Sequence, residues 1–302
     1  MPDCQDALDR SALDSTMLKW LSDRLDKEQF DKIYSVYSSL KDDAEDWEVF
    51  SSFSGVPRYT GKDELNLSTD ELRQAETIRN GWCPAHWSLD ELGRTLLVSA
   101  LANRSKESFF DKLEKLFVSS DMGEAKALYQ SLPVLPYPKD LTDRAAEGVR
   151  SNITSVFNAV AQRNPYPAVY MDTDAWNQIV LKSLFVESPL YLIYGIDMRA
   201  NRTLAHMLVE FAHERWSAGR EVPPELWRPV GPFIDENNIE EIQKVLSHDN
   251  EIHRQAAVLA LSDSESTAAK KTLQKHEDVL KTVQEKSITW NTIGKLLDED
   301  AE

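Results

Sequence analysis

The chain has little cysteine, little glycine and too few basic residues to balance its acidic ones. Its 302 residues include two cysteines, Cys4 and Cys83, which exclude a disulfide framework and suit a reducing compartment. Ten glycines and 13 prolines exclude a collagen-like or low-complexity chain. Lys and Arg number 34 against 51 Asp and Glu, a net charge of −17, and that sign of charge repels phosphate backbones and anionic lipid. We therefore expect no nucleic acid and no membrane surface as a partner.

Long apolar segments are also absent. No apolar run approaches the roughly 18 residues that a membrane-spanning helix needs. The longest candidate, Ser188 to Ile196, contains Pro189 and Gly195. The amino-terminal residues have neither the basic region nor the apolar core of a signal peptide. These absences predict no direct membrane insertion and a cytoplasmic location.

Apolar residues recur at three- and four-residue spacing along most of the chain, which indicates amphipathic helices. Capping-box patterns at Ser68–Glu71 and Ser88–Glu91 mark two helix starts. One long helix is predicted from Asp140 or Thr142 as far as Val160. Strand signals are almost absent, so the sequence predicts an all-α fold. Helices of about 12 residues joined by short polar turns favour stacked helical hairpins, an α-solenoid, and leave room for an N-terminal helical subdomain.

Small residues are frequent late in the chain, where they allow helices to stack closely as in HEAT repeats. Residues 92–101 and 252–261 agree at four of ten positions, a similarity that any two small-residue amphipathic helices could also show. We expect a main helical domain over 1–275, with a HEAT-like pair at about 235–275. A C-terminal helix and acidic tail would occupy 276–302.

The segment between Val160 and Ile234 differs from the rest in composition. Its eight acidic and seven basic residues give a net charge of −1, so the remainder carries −16. It also contains 7 of the 13 prolines and 3 of the 8 tryptophans. Solvated helix faces do not need that composition, whereas irregular connections around a pocket do. We therefore expect a ligand site in this segment.

Several residues early in that segment have both a binding and a structural interpretation. Two prolines stiffen the loop Asn164–Pro167, which either presents Tyr166 to a ligand or ends a helix. The helix from Trp176 is apolar nearly all round and should be internal. Lys182 would then be a desolvated ammonium or would extend its head group to water. Asn177 in the same helix must find hydrogen-bond partners.

A second helix is predicted from Asn201 to about Ala218. His206, Glu210 and His213 fall on one of its faces and could hold a single metal ion. The alternative, a polar helix face without a metal, is favoured, so no metal is assigned. The sequence also lacks phosphate-loop, nucleophile-elbow and zinc-protease motifs, and neither catalytic residues nor a cofactor are assigned.

The strongest indication of binding is a cluster of arginines and tryptophans. Arg215, Arg220 and Arg228 lie close in sequence to Trp216 and Trp227. Guanidinium groups beside indoles can clamp a carboxylate or phosphate and stack on a flat ring. The alternative is structural pairing of the arginines with nearby glutamates. The predicted ligand-binding residues are Tyr166, Trp176, Asn177, Lys182, His213, Arg215, Trp216, Arg220, Trp227 and Arg228.

These same segments resemble the EboA family, over roughly residues 15–275. The similarity lies mainly in Asn164–Ala168, Trp176–Lys182, His213–Arg220 and Pro224–Pro232. The family is named after a bacterial operon that also encodes a prenyltransferase-like membrane protein, a TatD-like metal hydrolase, a sugar-phosphate-cyclase-like enzyme and an isomerase-like barrel. In cyanobacteria this operon is associated with moving a precursor of the sunscreen scytonemin out of the cytoplasm. The resemblance supplies no catalytic residue, and it does not extend to the Lys- and Glu-rich end of the chain.

Three functions remain open from the sequence. The resemblance implies an accessory protein of an ebo-type biosynthetic and export pathway, with a small polar metabolite or other pathway proteins as partners. The second is an enzyme on a polar or phosphorylated small molecule, with His213 and Glu214 or Glu210 as acid and base. The third is a pure protein–protein scaffold. Convergence of Trp176, Lys182 and Arg228 with His213 on one cavity would favour small-molecule binding.

Overall fold

A computed structural model describes residues 8–41 and 44–299 of the chain. The described residues contain helices and no strand, which confirms the all-α prediction. None of these helices is both long enough and apolar enough to cross a membrane. The chain divides into two compact units, Met1–Tyr170 and Met171–Glu302. Each unit is described on its own.

The first unit is built from helices α1 to α11. Their bounds are α1 Arg10–Ser22, α2 Lys27–Lys41, α3 Asp46–Gly55, α4 Pro57–Thr60, α5 Thr69–Ile78, α6 Leu89–Ala100, α7 Lys106–Ser119, α8 Met122–Ser131, α9 Thr142–Arg150, α10 Thr154–Ala161 and α11 Tyr166–Tyr170.

Helix α6 forms the centre of the first unit. It packs against α1, α2, α4 and α8, and every one of its residues is buried. The charged side chains of its first turns are paired, as buried charges must be. Arg94 forms an ion pair with Asp90, and Glu91 accepts from Lys126 at 2.6 Å. A helix surrounded by others on all sides needs this pairing because water cannot reach its polar groups.

The two capping boxes are confirmed. At the start of α5, the Ser68 hydroxyl accepts from the Glu71 backbone N–H at 3.3 Å. The Glu71 carboxylate accepts in return from the Ser68 N–H at 2.7 Å. Arg24 also binds this carboxylate at 2.8 Å, and its hydrogen bonds lower the pKa of Glu71 to about 2.

The prediction of one long helix ending at Val160 is wrong, because the structure has two helices, α9 and α10. Ser151 adopts a non-helical backbone conformation (ψ 137°), and its hydroxyl accepts from the N–H of Ile153 at 3.1 Å. Serine side chains compete in this way with the helical hydrogen-bond ladder. The break turns α10 back, so that it packs against both α9 and α8.

Gly148 lies where α9 meets its neighbours, and it gives the first testable prediction. A Cβ atom there would lie 2.6 Å from ring carbon Cε1 of Tyr129 and 2.6 Å from Cγ2 of Val160. We expect Gly148→Ala to lower the free energy of unfolding by roughly 1 to 3 kcal/mol through overpacking, despite a helix-propensity gain of about 1 kcal/mol. Urea unfolding measures the change.

Gly123 provides the matched control for this substitution. It is exposed in α8, and a Cβ there would meet only an Asp121 side-chain oxygen at 3.5 Å. Gly123→Ala should therefore be neutral or stabilising. If Gly148→Ala proved as stable as Gly123→Ala, the close packing of α9 in this structure would be disproved.

The second unit is built from helices α12 to α18. Helix α15 lies against α14, α16, α17 and α18, and Ala256, Ala257 and Ala260 on it are fully buried. The helix bounds are α12 Thr173–Phe185, α13 Arg202–Ser217, α14 Ile239–Leu246, α15 Glu251–Ser262, α16 Thr267–Gln274, α17 Glu277–Glu285 and α18 Trp290–Glu299.

The finer predictions about architecture keep their status as predictions. Small residues do allow close packing around α15, but an ordered stack of hairpins or HEAT repeats is not established. Helices α17 and α18, which follow the predicted domain boundary at 275, pack within the second unit. The last three residues of the predicted acidic tail, 300–302, lie outside the described residues.

Candidate functional site

The amino-terminal end of α13 is fixed by Asn201, as the sequence predicted. Its side-chain oxygen accepts from the Leu204 N–H at 2.9 Å. Its amide donates to the side-chain oxygen of Asn177 at 2.8 Å, so the buried Asn177 has the partner that its position in α12 demands. At the other end of α13, Gly219 has a φ of +66°, the left-handed conformation that commonly ends a helix.

Four of the predicted binding residues serve the interior of their own unit. Tyr166 in the first unit is buried and donates its hydroxyl proton to the Pro138 carbonyl, and burial raises its pKa. In the second unit, Trp176 is buried with the Arg199 guanidinium 5.2 Å from its ring. Lys182 is half-buried, and desolvation lowers its pKa. Neither these three nor Asn177 lines any of the hollows described next.

One hollow on the second unit lies between the end of α13 and the start of α15. It has a volume of about 510 Å³, within the range of small-molecule sites. We call it the Trp216 hollow. The side chains that line it and matter here are Trp216, Arg220, Glu221, Lys244, His248 and His253.

One wall of the Trp216 hollow is an aromatic stack. The Trp216 ring stacks on the ring of Trp227, with a centroid distance of 6.0 Å and an angle of 26°. Trp227 is completely buried and therefore holds Trp216 in place. The ammonium of Lys244 lies 3.9 Å from the Trp216 ring centroid, a cation–π contact.

The predicted arginine cluster separates into three environments. Arg220 is exposed and lines the Trp216 hollow. The Nε of Arg215 donates to the backbone carbonyl of Glu221. Arg228 binds both carboxylate oxygens of Asp197, at 2.6 and 2.7 Å, a partner that is not among the nearby glutamates considered from the sequence.

Within residues 8–41 and 44–299, neither Arg220 nor Lys244 forms an ion pair with a carboxylate. The protein has 51 acidic and 34 basic residues, so acidic partners for these two side chains are plentiful in the sequence. Two cationic groups without acidic partners therefore face the same hollow.

Two histidines and a glutamate form a cluster at the other side of the Trp216 hollow. The imidazole rings of His248 and His253 stack with centroids 3.9 Å apart and planes inclined by 12°. Nε2 of His248 lies 3.4 Å from a carboxylate oxygen of Glu221, and its Nδ1 accepts from the Asn250 backbone N–H at 3.0 Å. Burial, and then the neighbouring His248, lower the pKa of His253 to about 4, so this ring is neutral at pH 7.

A second hollow, of about 350 Å³, shares Glu221 and His253 with the first. We call it the Glu225 hollow after its most buried carboxyl group. Glu225 is 5% exposed, and its Oε2 accepts from the Leu190 N–H at 3.0 Å. Its Oε1 has no hydrogen-bond partner in the described part of the chain. Burial raises the pKa of Glu225 to about 7.

The third hollow, of about 430 Å³, contains the metal candidates named from the sequence. His206, Glu210 and His213 all line it and all are exposed. Nε2 of His213 lies 2.8 Å from a Glu241 oxygen, whereas its Nδ1 is 3.8 Å from Glu210. Among the described residues, these three do not bring their ligand atoms within 4.8 Å of one another, whereas Glu221, His248 and His253 do. Glu214, the proposed catalytic partner of His213, lines none of the three hollows.

Comparison with known proteins supports the resemblance seen in these segments. The family model described as metabolite traffic protein EboA matches residues 13–231. The chain belongs to the EboA family. No match was found among curated proteins or among solved structures.

The EboA match ends inside the second unit and divides the Trp216 hollow. Of the residues that line it, Trp216, Arg220 and Glu221 lie within the matched residues, whereas Lys244, His248 and His253 lie beyond them. These last three were not predicted from the sequence. The sequence signal for them was a pair of histidines five residues apart at a helix start, which is too common a pattern to indicate a site by itself.

Proposed function

We propose that this chain is a non-catalytic accessory protein of metabolite traffic, in the cytoplasm, within an ebo-type biosynthetic and export pathway. Its second unit would bind a small anionic metabolite, a carboxylate or a phosphate, in the Trp216 hollow. The observation that carries this proposal is that Arg220 and Lys244, neither paired with a carboxylate among the described residues, line one hollow with Trp216.

Two cations, Arg220 and Lys244, and two carboxylates, Glu221 and Asp249, line the Trp216 hollow, so an anion would be held by the two cations individually and not by an excess of positive charge. A net charge of −17 repels anions from the protein as a whole, so anion binding needs a local group of cations. Arg220 and Lys244 can each donate charge-assisted hydrogen bonds to a carboxylate or phosphate oxygen. The Lys244 ammonium lies over the Trp216 ring. An anion bound to that ammonium would therefore lie in a row with the ammonium and the indole.

The two other functions have less support from the geometry. A pure scaffold needs broad and shallow surfaces, whereas three hollows whose linings include charged side chains open on the second unit. An enzyme with His213 as its acid or base would have Glu210 as a partner in the same hollow, at 3.8 Å, whereas Glu214 lies outside it. The closer contact of His213 is with the Glu241 carboxylate, at 2.8 Å, and both His213 and Glu210 are exposed.

The charge-reducing variant Arg220→Ala/Lys244→Ala tests the proposal. Native mass spectrometry of the protein purified from its own host should reveal a retained anionic molecule, and phenyl phosphate serves as a defined probe in calorimetry. Loss of two charged donors should weaken binding of either anion by roughly a hundredfold or more, since each such hydrogen bond contributes about 1.5 to 3 kcal/mol when fully formed.

The double variant Lys271→Ala/Lys275→Ala removes the same net charge elsewhere in the second unit, where both lysines are exposed. It should bind the anion as the unmodified protein does. Equal losses in both double variants would attribute the effect to net charge alone. That result, or the lack of any anion that depends on Arg220 and Lys244, would refute the proposal.

A further inference from the structure

We propose that Glu221, His248 and His253 form a binding site for one divalent transition-metal ion of the zinc type. Each residue offers one ligand atom, and these atoms all lie within 4.8 Å of one another. Two imidazole nitrogens and one carboxylate oxygen are a donor set that proteins use for zinc, with a fourth position left for water or a ligand oxygen. This inference does not depend on the proposed function, because the metal can be tested alone.

The fold brings the three ligands together from two separate segments. Glu221 follows the end of α13. His248 lies in the connection between α14 and α15, and His253 in the first turn of α15. A metal ion bound by all three would therefore tie the loop after α13 to the start of α15, two segments that α14 separates in the sequence.

The three ligand side chains differ in burial, so that one can stay fixed while the other two move to bind an ion. His253 is 7% exposed and provides a fixed nitrogen. His248 is half-buried and Glu221 is exposed, and both line an open hollow.

Metal binding requires one local rearrangement. The lone pairs of an imidazole lie in its ring plane, so two nearly parallel rings 3.9 Å apart cannot both point at the same ion. His248 must turn, because its Nδ1 is held by the Asn250 N–H and a ring that accepts there carries its proton on Nε2. Turning releases the Asn250 N–H and frees a ring nitrogen for the metal.

The expected geometry also explains where the open coordination position would point. Glu221, His248 and His253 line the Trp216 hollow together with Arg220 and Lys244. A divalent ion bound to one carboxylate and two imidazoles forms a complex with a net charge of +1. The fourth position would therefore face the same space as the two unpaired cations.

The test is calorimetric titration of the full chain with zinc chloride after removal of metals with EDTA. We expect one equivalent of zinc at a dissociation constant of micromolar or tighter. His248→Ala should weaken zinc at least thirtyfold and Glu221→Gln about tenfold, with the fold checked by circular dichroism. In the NMR spectrum, the Asn250 amide signal should shift on zinc addition.

His206→Ala and His213→Ala are the matched controls, since both histidines are exposed in the third hollow. Both should bind zinc as the unmodified chain does. His253→Gln gives a second ligand variant in case the first is uninformative, with the same expected loss. Absence of stoichiometric zinc, full affinity in His248→Ala, or loss in His213→Ala instead would each overturn the proposal.

Discussion

Replacement of Trp227 by alanine is expected to lower the free energy of unfolding of the second unit by about 3 to 5 kcal/mol. Trp227 is completely buried, in a short segment that packs against α15. Its indole N–H has no hydrogen-bond partner in the described part of the chain. The cost therefore arises from lost packing and from the cavity left behind.

Two further variants separate this explanation from a general sensitivity to mutation. Trp227→Phe keeps a ring beside Trp216 and loses no hydrogen bond, so it should cost about 1 to 2 kcal/mol, less than Trp227→Ala. Trp47→Ala removes a side chain that is 68% exposed and should change stability by about 0.5 kcal/mol or less. Urea unfolding measures all three. A loss in Trp227→Ala no greater than that in Trp47→Ala would show that Trp227 does not support the second unit.

Replacement of Glu225 by glutamine is expected to stabilise the second unit more at alkaline pH than at acidic pH. Burial raises the pKa of Glu225 from 4.5 to about 7, so the folded state holds this proton more tightly than the unfolded state. The proton's contribution to stability is complete below about pH 4.5 and is lost as the pH rises through about 7. Above that range, the ionised carboxylate costs roughly 3 kcal/mol, and glutamine carries no such cost.

The measurement is urea unfolding of both proteins at about pH 5 and about pH 8. The stability of Glu225→Gln minus that of the unmodified chain should increase by roughly 2 to 3 kcal/mol between the two pH values. Any constant effect of the new amide cancels in this comparison. Glu187→Gln alters an exposed residue of the same hollow and should show no such increase. A pH-independent difference for Glu225→Gln would contradict a raised pKa.

The local predictions succeeded where neighbouring residues decide the structure. Ser88 and Glu91 start α6 because each satisfies a backbone or side-chain group three residues away, and Asn201 starts α13 in a similar way. The prediction of one long helix through Ser151 was wrong because a hydrogen bond between neighbouring residues ends the helix there. Its apolar spacing continues, but the Ser151 hydroxyl binds a backbone N–H and a turn forms.

The structure brings together only some of the residues that the sequence predicted for the site. Trp216 and Trp227 do lie together, and Arg220 lines the same hollow as Trp216. Lys244 and the two histidines were missed because they lie in α14, α15 and the connection between them, beyond the segment with the unusual composition. Arg228 looked equivalent to Arg220 in sequence, but it donates to both carboxylate oxygens of Asp197 and to the side-chain oxygen of Asn291.

The sequence by itself determined the helices, their caps and membership in the EboA family, because periodicity, capping and motif similarity depend on residues close together in the chain. Only the tertiary structure decided which cations face a shared hollow and which are paired. It also decided that the cluster of metal-ligand type is Glu221, His248 and His253 rather than the aligned face of α13. The physical reason is that charge pairing and ligand convergence depend on distances between side chains far apart in sequence.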